Sequence, residues 1–191
     1  MNNIYDPWPD SVEVNGRVYA LDLAFDRVLR VLDIEDAPDL TALDKLAVQC
    51  AYILSESEKL PDDPREQVEI IKAAFELLPK PEKQSGERYI DFHQDAALIR
   101  SGFFRAYGID LTREHIHILQ FLELLSDLPQ DTALMRTIDI RQRPIPKPTK
   151  HNAEQIAALQ QAKARVAIRM SEEERRSSFA EKLKQSTVLR G

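Results

Sequence analysis

Cysteine is nearly absent from this chain: Cys50 is the only one among 191 residues, so an internal disulfide is excluded. A chain of this kind suits a reducing compartment. Long apolar runs are also absent, since no stretch approaches the roughly 20 residues that a membrane-spanning helix requires. The first residues lack the basic start and apolar block of a signal peptide. We therefore expect a cytoplasmic protein that has no membrane partner.

The sequence motifs of common enzymes are absent as well. There is no glycine-rich phosphate-binding loop, no Gly-x-Ser-x-Gly and no His-Glu-x-x-His. Cys50 lies on a predicted apolar helix face, where a buried structural thiol is far commoner than a nucleophile. His115 and His117 are two residues apart and would point to different sides of a helix, which disfavours a shared metal ion. We predict that the protein is not an enzyme and has no catalytic residue, cofactor or metal site.

Charge is distributed unevenly along the chain, whose net charge is −6. Residues 147–191 contain ten Lys/Arg and five Asp/Glu, a balance of +5, whereas the remainder contains 16 basic and 27 acidic residues, a balance of −11. Both parts can be ordinary solvated helix faces, or the opposite charges can steer partners or copies of the chain together. Nucleic acid is a disfavoured partner, because the acidic part would repel it and Phe179 is the only aromatic residue after Pro148.

The N-terminal part contains a β-hairpin signal. Asn15-Gly16 suits a two-residue type I′ turn, in which both central residues need positive φ. The resulting register pairs Val14 with Arg17 and Val12 with Tyr19, and it places four apolar side chains on one face: Val12, Val14, Tyr19 and Leu21. An isolated hairpin is marginal in water, so this face should pack on the helices that follow. We expect Trp8 to cover the edge of the hairpin.

After the hairpin, apolar residues recur with the helical period and predict a bundle of about five to six helices. Four helix starts carry capping signals, namely Asp22, Thr41 with Asp44, Asp63 with Pro64, and Thr112. The predicted inner faces include Phe25, Val28, Leu29 and Leu32; Leu43, Leu46, Ala47, Cys50, Ile53 and Leu54; and Val68, Ile71, Phe75 and Leu78. Gly108 is expected to stop a helix over about residues 94–107 in the left-handed conformation. The fold class is therefore mainly α with an N-terminal hairpin and a C-terminal helical extension.

A proline-rich segment, Arg143-Pro144-Ile145-Pro146-Lys147-Pro148, disfavours helix and predicts a semi-rigid extended spacer. We place a domain boundary there, between a hairpin-plus-helical domain over 1–146 and a basic helical tail over 147–191. The tail helix should start at Asn152, and its thin apolar stripe has too little surface to fold alone. It therefore lies on the body, binds a partner or frays. The candidate partner-binding residues are Ile156, Leu159, Val166, Met170 and Phe179.

Several of these segments, taken in order, resemble a known protein family. They are the lead Tyr5-Asp6-Pro7-Trp8-Pro9-Asp10, the Asn-Gly hairpin, Asp91-Phe92, Tyr107-Gly108-Ile109-Asp110-Leu111 and Ile138-Asp139-Ile140-Arg141. The series is similar to that of small proteins encoded among the tail genes of long-tailed phages and prophages of Gram-positive bacteria. That family looks like tail-assembly chaperones.

The resemblance implies a non-enzymatic chaperone that works in the host bacterial cytoplasm. Its implied partner is the tape-measure protein, which it would coat before tube subunits polymerise. The tail-tube protein and further copies of the chain are additional candidate partners. The alternative is a structural adaptor or minor tail protein that stays in the virion.

Overall fold

The computed structural model describes residues 5–79 and 88–169. Within these ranges the chain forms one two-stranded antiparallel sheet and seven helices, which confirms a mainly α fold with an N-terminal hairpin. The elements are β1 (Ser11–Val14), β2 (Arg17–Ala20), α1 (Phe25–Glu35), α2 (Ala42–Ile53), α3 (Pro64–Glu76), α4 (Ala96–Tyr107), α5 (Ile118–Ser126), α6 (Ala133–Gln142) and α7 (Ala153–Val166).

The chain separates into two compact units. The first contains Met1–Ser85 and Phe103–Leu128, and the second contains Gly86–Gly102 and Pro129–Gly191. Helix α4 contributes its first residues to the second unit and its last residues to the first. The second unit holds residues from both sides of the proline-rich spacer, and α7 packs against α6 within it. Independent folding of residues 1–146 stays a prediction, since contacts within a unit do not measure it.

The hairpin has the predicted register, with Val14 opposite Arg17 and Val12 opposite Tyr19. Asn15 and Gly16 both have positive φ, 51° and 76°, as a type I′ turn requires. All four residues of the predicted apolar face are buried. Tyr19 is fully buried, and its hydroxyl donates to Glu66 Oε1 of α3 at 2.6 Å. The hairpin face is therefore packed on helix α3, as expected.

Between the hairpin and α1, the segment Leu21–Ala24 is extended and bonded on two sides. On one side, the Asp22 amide donates to the Ile53 carbonyl at 2.7 Å, at the end of α2. On the other side, the Phe25 amide donates to the Ile116 carbonyl at 2.9 Å, and the Ile118 amide donates to the Leu23 carbonyl at 2.8 Å. The segment thus joins the end of α2 to the chain that leads into α5.

This pairing makes the prediction of Asp22 as a helix cap wrong. Helix α1 begins at Phe25, and its N-cap is Ala24, whose methyl side chain cannot accept a hydrogen bond. The Asp22 carboxylate accepts from the Ala24 amide at 3.2 Å, before the helix begins. The Asp22 carboxylate lies 3.3 Å from Arg27 Nε and 3.2 Å from His115 Nε2 instead. Leu32, assigned to the inner face, is 49% exposed, since α1 buries Val28 and Val31.

Helix α3 starts as predicted, with the Asp63 carboxylate accepting from the Arg65 amide at 2.9 Å and Pro64 in the first turn. Its predicted inner face is rotated by one residue. The helix buries Gln67, Ile70 and Ala74, whereas the predicted residues Val68, Ile71, Phe75 and Leu78 are half-buried. Polar anchors explain the rotation: Gln67 Nε2 donates to the Pro61 carbonyl at 2.7 Å, and the neighbouring Glu66 binds the Tyr19 hydroxyl.

The turn after α4 confirms one expectation and corrects another. Gly108 has φ of 70° and its amide donates to the Phe104 carbonyl at 2.9 Å, so it stops the helix as predicted. Thr112, however, does not cap α5. Its amide and hydroxyl both donate to Asp110 Oδ1, at 3.0 and 2.7 Å, so its side chain is used within the turn. Helix α5 begins six residues later, at Ile118, and its N-cap is His117.

Cys50 of α2 is fully buried, as expected, and burial raises the pKa of its thiol to about 11. At pH 8 only about one thiol in a thousand is then ionised, since each pH unit below the pKa costs a factor of about ten. We expect Cys50 to resist Ellman's reagent in native buffer and to react fully after unfolding in guanidinium chloride. Rapid stoichiometric reaction without denaturant would show that the thiol is accessible.

Candidate functional site

The first unit carries an open apolar groove, which we call the α2 groove. It has a volume of about 410 Å³ and is open to solvent. Its lining residues are Arg27, Ala47, Val48, Ala51, Tyr52 and Leu60. Four of the six come from α2, so the groove follows one face of that helix.

Side-chain bonds between α1 and α2 hold the groove in shape. Arg27 of α1 donates to the carbonyls of Tyr52 and Leu54 at the end of α2, at 2.8 and 3.2 Å. In return, Lys45 of α2 donates to the Glu35 carbonyl at 2.5 Å, at the end of α1. The last carbonyls of a helix have no partner within it and carry partial negative charge. Each helix therefore caps the other, which fixes the pair without covering the groove.

The shape of the groove follows from side-chain size. Ala47 and Ala51 are four residues apart and lie on one line along α2, where their small side chains leave space. Val48 and Tyr52 form the adjacent line, and the Arg27 guanidinium lies 5.9 Å from the Tyr52 ring centre. Leu43, one turn before Ala47, is 65% exposed, so its assignment to the inner face was wrong. The helix instead buries Cys50 and Ile53.

The predicted partner-binding residues lie elsewhere. Ile156, Leu159 and Val166 are on α7, where each is half-buried, and α7 packs against α6. Met170 and Phe179 lie outside the described residues. None of the five lines the α2 groove. Their role as a partner-binding stripe therefore stays a prediction, and sequence periodicity did not single out the groove.

A buried ion pair organises the second unit around α7. Arg141 of α6 forms a two-bond salt bridge with Asp95, at 2.6 and 2.9 Å, and the two side chains are only 6% and 2% exposed. The same guanidinium donates to the Val166 carbonyl at 2.6 Å, at the end of α7. Burial would raise the pKa of the Asp95 carboxyl, but the bonds from Arg141 and from the Asp91 amide outweigh it, so the pKa is lowered.

Replacing Arg141 by Ala should destabilise the protein by about 3–5 kcal/mol, because it leaves the Asp95 carboxylate buried without its cation. Arg143 is the matched control. It pairs with Asp139 on the surface, where both side chains are more than half exposed, so Arg143→Ala should cost at most about 1 kcal/mol. Urea unfolding of the two variants measures both values. Equal free energies of unfolding would contradict the assigned role of Arg141.

His117 has a structural role that the sequence did not suggest. Its Nδ1 accepts from the Leu119 amide at 3.1 Å, and its Nε2 lies 3.1 Å from the Pro9 carbonyl. The Trp8 ring stacks on the imidazole, with ring centres 5.7 Å apart. Nδ1 must be unprotonated to accept, so the ring is neutral with its proton on Nε2. Burial lowers the pKa of His117, against smaller opposite effects of the Pro9 carbonyl, Asp10 and Asp22.

This predicts a loss of stability in mild acid. Below the ordinary pKa of about 6.5, the unfolded chain binds a proton on His117 that the folded chain resists. The free energy of unfolding should therefore fall as the pH drops from 6.5 towards the lowered pKa. His117→Asn, which can still cap α5, should show a smaller fall between pH 7 and 5 by urea unfolding. An identical pH profile in the variant would refute this assignment.

Two further properties of the described residues bear on function. Within residues 5–79 and 88–169, no three His, Cys, Asp or Glu side chains are grouped to hold a metal ion. Across the same ranges, none of the helices combines the length and the apolar character needed to cross a membrane.

The fold and site define a mainly α protein whose N-terminal hairpin packs on helices and whose helix α2 carries an open apolar groove. Comparison with known families matches residues 4–168 to the family model described as "Bacteriophage Gp15 protein". The match covers most of the chain, which therefore belongs to the bacteriophage Gp15 protein family and is phage-associated. No curated protein and no solved structure matches the chain.

Proposed function

We propose that this protein is a non-enzymatic tail-assembly chaperone that binds the tape-measure protein during phage tail morphogenesis. Membership of a phage protein family supports the setting. The observation that carries the proposal is the α2 groove, an apolar surface left open beside a rigid helix pair. A groove of this kind suits a helix that lays its apolar face into it.

The dimensions of the groove fit a chaperone better than a permanent clamp. A tape-measure protein is a long helical chain whose apolar stripes would aggregate unprotected. A groove of about 410 Å³ accepts only a few side chains of such a helix, so each copy would cover a short part of it. Many copies along one long chain would still protect it, and each could be displaced when tube subunits polymerise.

The direct test is co-expression with a fragment of the tape-measure protein from the same phage. We expect the fragment to stay soluble with the wild-type protein and to precipitate alone or with an unrelated soluble protein. Two variants then show which surface binds the fragment: Val48→Asp changes the groove, and Leu159→Asp changes the predicted α7 stripe. We expect Val48→Asp to lose the protection of the fragment and Leu159→Asp to keep it. An introduced carboxylate would be buried unpaired on binding, which strongly disfavours the complex. Equal insolubility of the fragment with and without the wild-type protein would refute the chaperone function.

Mass spectrometry of purified virions separates the proposal from its alternative. A chaperone leaves the tail when the tube forms, so this protein should be absent or far below stoichiometric amounts. A structural adaptor or minor tail protein would instead be found at a fixed ratio to the tube protein. The second result would overturn the chaperone role and establish the adaptor.

A further inference from the structure

We propose that the α2 groove selects a helix whose apolar ridge is flanked by lysine and arginine. The inference rests on the proposed function in one respect, namely that the partner is a helix. It adds the chemical class of that helix, which neither the family match nor the presence of a groove specifies.

The first argument is shape. Ridges of side chains four residues apart on one helix pack into the grooves of another, at axis separations of about 8–10 Å. Small residues at the contact allow the closer end of that range. Ala47 and Ala51 provide a row of two small side chains, bordered by Val48 and Tyr52 on α2 and by Leu60 after it. The groove therefore accepts one ridge of bulky apolar side chains, such as leucines spaced by three or four residues.

The second argument is charge. Residues 25–60 include every groove-lining residue, and they contain eight Asp/Glu against four Lys/Arg. Two of the four cations, Arg27 and Lys45, are bound to carbonyls at helix C-termini, whose partial negative charge offsets theirs. The segment that supplies the groove therefore has a net charge of −4, which attracts a partner with basic flanks.

The third argument concerns the cation that lines the groove. The Arg27 guanidinium is bonded to the carbonyls of Tyr52 and Leu54 and lies 3.3 Å from the Asp22 carboxylate. Its Nε and Nη2 groups donate within this chain, so they are already used and are not offered to an acidic partner. Acidic flanks on the incoming helix would face a segment with eight Asp/Glu, in which Arg30 and Lys59 are the only cations besides Arg27 and Lys45.

Two synthetic peptides of equal length test this, one with leucine at helical spacing and lysine elsewhere, the other with glutamate replacing lysine. Fluorescence anisotropy with the full-length protein should show tighter binding of the leucine/lysine peptide. That preference should shrink as salt is raised, because screening weakens exposed charge pairs. Tighter or equal binding of the leucine/glutamate peptide would overturn the proposed charge class.

Val48→Asp distinguishes docking in the groove from general attraction to an acidic protein. The substitution adds negative charge, which would strengthen a purely electrostatic contact, but it places a carboxylate where the apolar ridge must sit. We expect it to weaken binding of the leucine/lysine peptide by about tenfold or more, equivalent to about 1.4 kcal/mol. Val18→Asp, which makes the same charge change on the exposed face of the hairpin outside the groove, should leave the affinity unchanged or slightly raised.

Ala51→Gln is the second groove variant and fills the space between the ridges without adding charge. It should also weaken the binding of the leucine/lysine peptide. Protection of Cys50 from Ellman's reagent checks that both groove variants are folded. Unchanged affinity in folded Val48→Asp and Ala51→Gln would overturn the proposal. So would light scattering that shows wild-type dimers and Val48→Asp monomers, since a second copy would then fill the groove.

These results are independent of the tape-measure experiment. Peptide selectivity without protection of the tape-measure fragment would leave this inference standing and refute the chaperone function. Protection of the fragment without peptide selectivity would refute this inference alone.

Discussion

The first unit depends on the backbone pairing of one extended segment, Leu21–Ala24. Its amides and carbonyls bond to the end of α2 on one side and to the approach to α5 on the other. Buried backbone groups need hydrogen-bond partners. The pairing therefore holds this segment, the end of α2 and the start of α5 next to each other, although they are far apart in sequence. The hairpin before this segment and α1 after it take their positions from the same pairing.

The α2 groove lies beside a helix pair whose C-terminal carbonyls accept hydrogen bonds from side chains of the opposite helix. Arg27 and Lys45 donate to the last carbonyls of the opposite helix, so α1 and α2 are fixed at both ends. This leaves the side of α2 with Ala47 and Ala51 uncovered. In the second unit a similar bond has the opposite effect, because Arg141 binds the Val166 carbonyl and holds α7 with its stripe half-buried. In the first unit the Arg27 bonds leave an apolar face of α2 open, whereas in the second unit the Arg141 bond holds the apolar stripe of α7 half-buried.

The ionisable side chains with shifted pKa values take part in packing or in hydrogen bonds within the chain. The titratable groups with altered pKa values have structural uses: His117 caps α5, Asp95 pairs with Arg141, Cys50 is core, and the hydroxyls of Tyr19 and Tyr107 donate to Glu66 and to the Leu124 carbonyl. For the helix-binding role that we propose, the bonds between α1 and α2 fix the walls of the groove in advance, which lowers the entropic cost of binding.

Local rules predicted the parts of the fold that depend on neighbouring residues. The Asn15-Gly16 turn, the caps at Thr41 and Asp63 and the stop at Gly108 were all confirmed, because each conformation is set within a few residues. The predictions for Asp22, Thr112 and the inner face of α3 were wrong where another bond prevailed over the local signal. For Asp22 and α3 those bonds join distant segments, and for Thr112 the Asp110 carboxylate is the partner.

The groove could not be predicted from the sequence, because it also depends on which distant segments pack against α2. Both sides of α2 are apolar, with Cys50 and Ile53 on one and Ala47 and Val48 on the other, so periodicity could not tell which side is covered. The sequence by itself determined the hairpin, the starts of α2 and α3, the end of α4 and the family. Only the tertiary structure decided which apolar faces are buried, because burial depends on long-range pairing that no local pattern encodes.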